Sequence, residues 1–251
     1  MNFDVFGKHD QDLDLFYAEV INKLPETESP IVEDAELILG AAFDKNKGTL
    51  FLYPMEGTGP ATLTYELRLL EEDCFRATHI AGEVWKVSEV PEAENYGVTP
   101  YTYPESTVFV GKKGTNLETQ AMEAIYGGVV NIQRSRTVFL KDYPARSLLV
   151  APDRQTSDAK YYQTANDSRY KRLTIQPCFG GKGTVELTLK LAKTTADMME
   201  LLVGNLKADG TAVAGQKNHF VIRLRGFRVV GAGAAFQKFR KEYAKSMGIR
   251  E

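Results

Sequence analysis

The chain has 251 residues, 43% hydrophobic and 25% charged, enough to bury a large core as one big domain or two small ones. Its formal net charge of −2 conceals a segregation, because residues 1–105 carry 21 Asp and Glu against 7 Lys and Arg whereas residues 106–251 carry 12 against 24. No apolar run approaches the roughly 18 residues of a membrane-spanning helix, and the opening MNFDVFGKHDQDLDLF has neither the basic region nor the apolar stretch of a secretory signal, so cytoplasmic synthesis is expected.

Taken in chain order, Leu13, Phe16, Tyr17, Val20, Ile21 and Leu24 recur at helical spacing and predict an N-terminal amphipathic helix over 12–24, stopped by Pro25. Period-two alternation then predicts strands over 63–69 and 185–191, and shorter apolar runs predict strands over 49–53, 84–90, 107–110, 137–141, 147–151 and 172–178. The capping-box patterns Thr115-x-x-Glu118 and Thr194-x-x-Asp197 open two short helices that should stop at Gly127 and Gly204. Phe236, Phe239, Tyr243 and Met247 form the stripe of a C-terminal helix closed by Gly248. The fold class is therefore α+β and β-rich, with sandwich-like antiparallel sheets, an N-terminal amphipathic helix, two short internal helices and a C-terminal helix.

Residues 91–106 (PEAENYGVTPYTYPES) hold three prolines and three tyrosines, lie where the charge changes sign, and read as a connection or arm presenting Tyr96, Tyr101 and Tyr103. They divide an acidic part, 1–90, from a basic β-rich part, 107–251, unless the whole is one continuous domain. Residues 152–172 are polar, nearly free of aliphatic side chains, and read as a contact loop.

No catalytic motif is complete. The run 229–236 has a strand, glycines and a helix in the order of a dinucleotide-binding turn, yet Phe236 stands where a small residue is needed and too little chain follows to finish the unit. In Gly180-Gly181-Lys182-Gly183-Thr184, Gly183 separates the lysine and threonine of a phosphate loop and a strand follows, so the segment is a turn. His9, His79 and His219 have no metal-ligand spacing, and Cys74 and Cys178, far apart in the chain, read as two buried thiols. The carboxylate runs Glu71, Glu72, Asp73 and Glu92, Glu94 read as solvated surface. The expectation is a chain with no catalytic residues, no cofactor and no metal.

The strand over 220–230 carries the strongest pattern. Phe220, Ile222 and Leu224 share one face and Arg223 and Arg225 the other; a one-residue bulge at Gly226 would bring Arg228 to the arginine face. With Arg134, Arg136, Arg154, Lys160, Arg169, Lys171 and Arg172, interleaved with Tyr161, Tyr162 and Tyr170, these residues form a candidate interface or polyanion contact. Two functions fit. One is a non-enzymatic structural subunit whose acidic part docks on the basic part of the next copy, giving a ring, tube or shell, a texture shared by capsid, connector and tail subunits of tailed phages. The other is a single-stranded nucleic-acid binder. Expected partners are copies of itself, other assembly subunits or nucleic acid, and no membrane; the charges can also neutralise each other within one chain.

Overall fold

The computed structural model describes residues 31–54, 74–88, 97–101, 109, 116–134, 137–148, 170–180, 185–207 and 209–230. These contain the strands β1 (Ile31–Ala42), β2 (Thr49–Pro54), β3 (Cys74–Ser88), β4 (Gly97–Tyr101), β5 (Val129–Arg134), β6 (Thr137–Pro144), β7 (Lys171–Arg172), β8 (Cys178–Gly180), β9 (Val185–Lys190) and β10 (Gln216–Val230). Two helices, α1 (Leu117–Tyr126) and α2 (Ala196–Val203), and one 3-10 turn (Ala145–Leu148) accompany them. Eight strands form a curled antiparallel sheet in the order β4-β3-β10-β1-β2-β9-β5-β6. β4, β8 and β7 all pair with β3, alongside its residues 84–88, 74–76 and 79–80 respectively.

Alternation explains which side of the sheet is apolar. Phe220, Ile222 and Leu224 of β10 project to the core together with Leu37 and Leu39, which stand opposite Leu224 and Ile222 on β1. Leu50 and Leu52 of β2, Leu187 and Leu189 of β9, and Val130 and Ile132 of β5 extend the same cluster. Ala121, Ala124 and Ile125 of α1 and Met198, Leu201 and Leu202 of α2 are buried in it. A Cβ on Gly82 would lie 3.1 Å from Cβ of Leu148, so the 3-10 turn packs directly on the sheet there.

Strands from both charge parts share this sheet, since β10 lies between β1 and β3, and β9 lies beside β2. Register also places Cys74 and Cys178, 104 residues apart in the chain, on neighbouring strands, Cys178 opposite Arg76 and Cys74 opposite Gly180.

Several expectations need correction. Residues 147 and 148 of the strand expected over 147–151 belong instead to the 3-10 turn, in which Ala145 and Leu148 are buried, and 149–151 lie outside the described residues. The strand expected over 172–178 is split into β7 and β8: Leu173 N donates to Thr78 O at 2.8 Å, Ala77 N donates to Pro177 O at 2.9 Å, and the residues between them leave the edge. The arm expected over 91–106 contains β4, so Tyr101 belongs to a sheet strand; Pro100 is tolerated there because β4 is an edge. Neither capping box forms as written: the N-caps are Asn116 and Thr195, without side-chain caps, and Asn116 Oδ1 accepts from Gln120 Nε2 at 2.7 Å. The helices expected at the two termini, the strand at 63–69, and Tyr96 and Tyr103 lie outside the described residues.

The bulge is not where the sequence suggested. On β10, Arg225 pairs with His79 and Gly226 with Ala77, which leaves Thr78 of β3 as the extra residue. The pairing of β10 with β1 continues unbroken through Gly226, so β10 keeps its period of two and Arg228 falls on the side opposite Arg223 and Arg225. Gly226 instead permits a close backbone approach. Arg76 O lies 1.8 Å from where its Cβ would stand, which only glycine allows.

Candidate interaction surface

The register assembles a polar row on the side of the sheet away from Leu224 and Ile222. Arg172 of β7 stands opposite His79 of β3, His79 opposite Arg225 of β10, and Arg225 opposite Glu36 of β1. Tyr170, two residues before Arg172, reaches over the same row: its hydroxyl donates to Oε1 of Glu36, and the Arg225 guanidinium lies 6.0 Å from its ring centroid. Thr78 Oγ1 donates to Arg225 O at 3.2 Å and lies 2.8 Å from His79 Nδ1.

Beside the row lies a buried charge cluster. Arg223 pairs with Glu36 at 2.9 Å and with Glu83 at 3.5 Å. Glu83 is only 1% exposed, and its second oxygen accepts from Trp85 Nε1 at 2.7 Å. Burial works against the Arg223 charge, but the facing carboxylates Glu83 and Glu36 outweigh it and hold the guanidinium pKa above its ordinary value. Ile38, Trp85 and Val221 form a small apolar cluster of their own next to these groups. On the other side of the sheet, Arg228 pairs with Glu33 at 3.2 Å.

Of the residues singled out from sequence, the structure brings together Tyr170, Arg172, Arg223 and Arg225, and places Lys171 beside them as an exposed residue of β7. It separates Arg228. Arg134 ends β5 in the other part of the sheet. Arg136, Arg154, Lys160, Tyr161, Tyr162 and Arg169 lie outside the described residues. The expected three-arginine stripe is thus two arginines on one side and a third on the other, with Arg223 and Arg228 held by carboxylates from the acidic part of the chain.

Sequence reasoning missed those carboxylates. Glu83 interrupts an otherwise apolar run from Ile80 to Trp85, and Glu33 and Glu36 sit in a strand between the apolar pair Ile31 and Val32 and the apolar run Leu37 to Leu39. An acidic residue inside a strand pattern is the signal that could have found them. It missed His79 for another reason, since only pairing places it between two arginines.

A second surface is apolar. On the outer side of β2, Phe51 is 50% and Tyr53 64% exposed, and Val138 of β6 is 51% exposed. Thr188 of β9 stands opposite Phe51 and Asn131, Gln133 of β5 stands opposite Glu186 and Val138, and Lys190 of β9 stands opposite Thr49. Gln133 Nε2 donates to Oε2 of Glu186.

Among the described residues no group of three or more His, Cys, Asp or Glu is arranged to hold a metal ion, and no helix is long and apolar enough to cross a membrane. No family model, no curated protein and no solved structure matches this chain.

Proposed function

We propose that the chain is a non-enzymatic structural subunit that self-assembles through complementary acidic and basic surfaces into a ring, tube or shell, as capsid, connector or tail subunits of a phage virion do. The observation that carries this reading is the pairing chemistry between the two parts. Guanidinium groups from residues 106–251 meet carboxylates from residues 1–105 at 2.9 to 3.5 Å, and the parts carry net charges of −14 and +12. Charge that such internal pairs leave over on each part can attract the opposite part of the next copy. Such a contact joins unlike surfaces and repeats into a ring or an open polymer.

Light scattering at low and high salt tests the reading. Species heavier than the 28.0 kDa chain at low salt, dissociating as added salt shortens the screening length, are expected. A mass of one chain at both salt concentrations overturns it.

The row Arg172, His79, Arg225 with Tyr170 favours a second reading, single-stranded nucleic-acid binding. Anisotropy of a labelled oligonucleotide should then rise on adding the protein and fall steeply with salt; no change at low salt removes this alternative.

A further inference from the structure

We infer that the outer face of β2, β9 and β5 docks a second copy of this chain across a two-fold axis that runs along the Phe51–Thr188–Asn131 row. The inference rests on the reading of the chain as a self-associating subunit, but not on head-to-tail contact.

The face is built from alternate residues whose neighbours are in the core. Leu50, Leu52, Leu187, Leu189, Val130 and Ile132 point inward, so Thr49, Phe51 and Tyr53, Glu186, Thr188 and Lys190, and Val129, Asn131 and Gln133 point outward. The ladder sets three rows across the strands. Phe51, Thr188 and Asn131 form the middle row; Thr49, Lys190 and Val129 form one outer row; Glu186 and Gln133, with Val138, form the other.

Charge complementarity selects a second copy as the occupant. Glu186 and Lys190 lie on the same face of β9, two residues apart on either side of Thr188. Neither has an oppositely charged partner among the described residues, and Glu186 accepts only from the neutral amide of Gln133. A two-fold axis in the interface plane, perpendicular to the strands, exchanges the two outer rows. It therefore sets Glu186 against Lys190 of the partner subunit, and Lys190 against Glu186 of the partner subunit. The same axis stacks Phe51 on Phe51 of the partner subunit, and Tyr53 covers Thr49 of the partner subunit. Two sheets about 10 Å apart leave room for these contacts.

The face is small. Three strands about 4.8 Å apart and five residues long at about 3.3 Å each span roughly 240 Å², against about 800 Å² per partner for a standard interface. The expected dimer is weak, dissociating on the order of 0.1 mM.

Sedimentation equilibrium from micromolar to millimolar protein, at high salt where head-to-tail contacts are screened, tests this. The wild-type chain is expected to approach a limiting mass of two copies. At the lowest salt that removes larger species, where charges in direct contact are screened less than long-range attraction, Glu186→Lys should weaken the dimer about threefold by facing lysine with lysine, and adding Lys190→Glu in the same chain should restore it. Phe51→Asp should leave a monomer with an unchanged circular-dichroism spectrum. A wild-type monomer at millimolar concentration, or a double variant as weak as Glu186→Lys alone, overturns the inference. Head-to-tail assembly is scored separately, because Phe51→Asp leaves it intact at low salt: large species there with a monomer at high salt keep the assembly reading and locate the dimer at this face.

Discussion

The guanidinium of Arg223 lies 3.5 Å from Oε1 of Glu83 across two adjacent strands, and Glu83 is almost wholly removed from water. The pair joins the basic part of the chain to the acidic part inside one sheet. A buried carboxylate is tolerated only with its partners in place, and here these include Arg223 on β10 and Trp85 on its own strand. Arg223→Met should lower stability by about 3 kcal/mol because it takes a guanidinium away from the buried Glu83 carboxylate. In urea unfolding, the double variant Arg223→Met, Glu83→Gln should lose less than the sum of the single variants. Additive losses would show that the two groups are not coupled.

Two interactions of Tyr170 with the sheet can be separated. Tyr170→Phe removes the hydroxyl that donates to Glu36 and keeps the ring near Arg225; a loss of about 1–2 kcal/mol is expected. Tyr170→Leu should cost about 0.5–1 kcal/mol more through the lost cation–ring contact. Hydrogen exchange at Lys171 and Arg172 should quicken in both variants, and unchanged exchange would detach Tyr170 from the ordering of β7.

Gly226→Ala should be strongly destabilising, by about 2 kcal/mol or more, because the new Cβ meets Arg76 O at 1.8 Å, a backbone atom fixed in the ladder. Gly48→Ala is the matched control: nothing lies within 4 Å of its Cβ position, and it should be near neutral. Equal thermal midpoints for the two variants would contradict this packing.

Two turn carboxylates set a pH signature. Asp209 accepts from Thr211 N at 2.8 Å and from Thr211 Oγ1 at 2.7 Å, and Asp44 accepts from Asn46 N at 3.0 Å and pairs with Lys47. These bonds favour the ionised forms and hold both groups below their ordinary value of 3.8. A carboxyl whose pKa is lower in the folded chain contributes stability that is present above the unfolded value and lost as pH falls through the folded one. Carboxyl carbon shifts should titrate below 3.8 for both residues, and Thr211→Ala should move the Asp209 midpoint upward. A midpoint at or above 3.8 for Asp209 would remove the turn bonds from the solution structure.

Much of the second half was legible from local pattern. Val185 to Lys190 alternates with little interruption, Phe220 to Val230 alternates with one glycine, and the glycines at 127 and 204 end α1 and α2. β1 and the first half of β3 were not legible. In β1, acidic Glu33, Asp34 and Glu36 dilute the apolar positions, and in β3 the extra residue Thr78 resets the phase between Ala77 and His79. β4 was concealed by its proline, which excludes a central strand but not an edge one.

The sequence by itself determined the strand-rich texture, the two internal helices, the opposite charges of the two parts and the alternation that puts Arg223 and Arg225 on one side of β10. Each depends on residues close together in the chain, where helical and pleated periods act. Only the tertiary structure decided which strands are neighbours. Inserting β10 between β1 and β3 delivers Glu36 and Glu83 to Arg223 and Glu33 to Arg228, turning much of an apparent basic stripe into internal ion pairs. It also leaves Phe51 and Tyr53 facing water. Strand order joins residues more than a hundred positions apart, and no period within a strand encodes it.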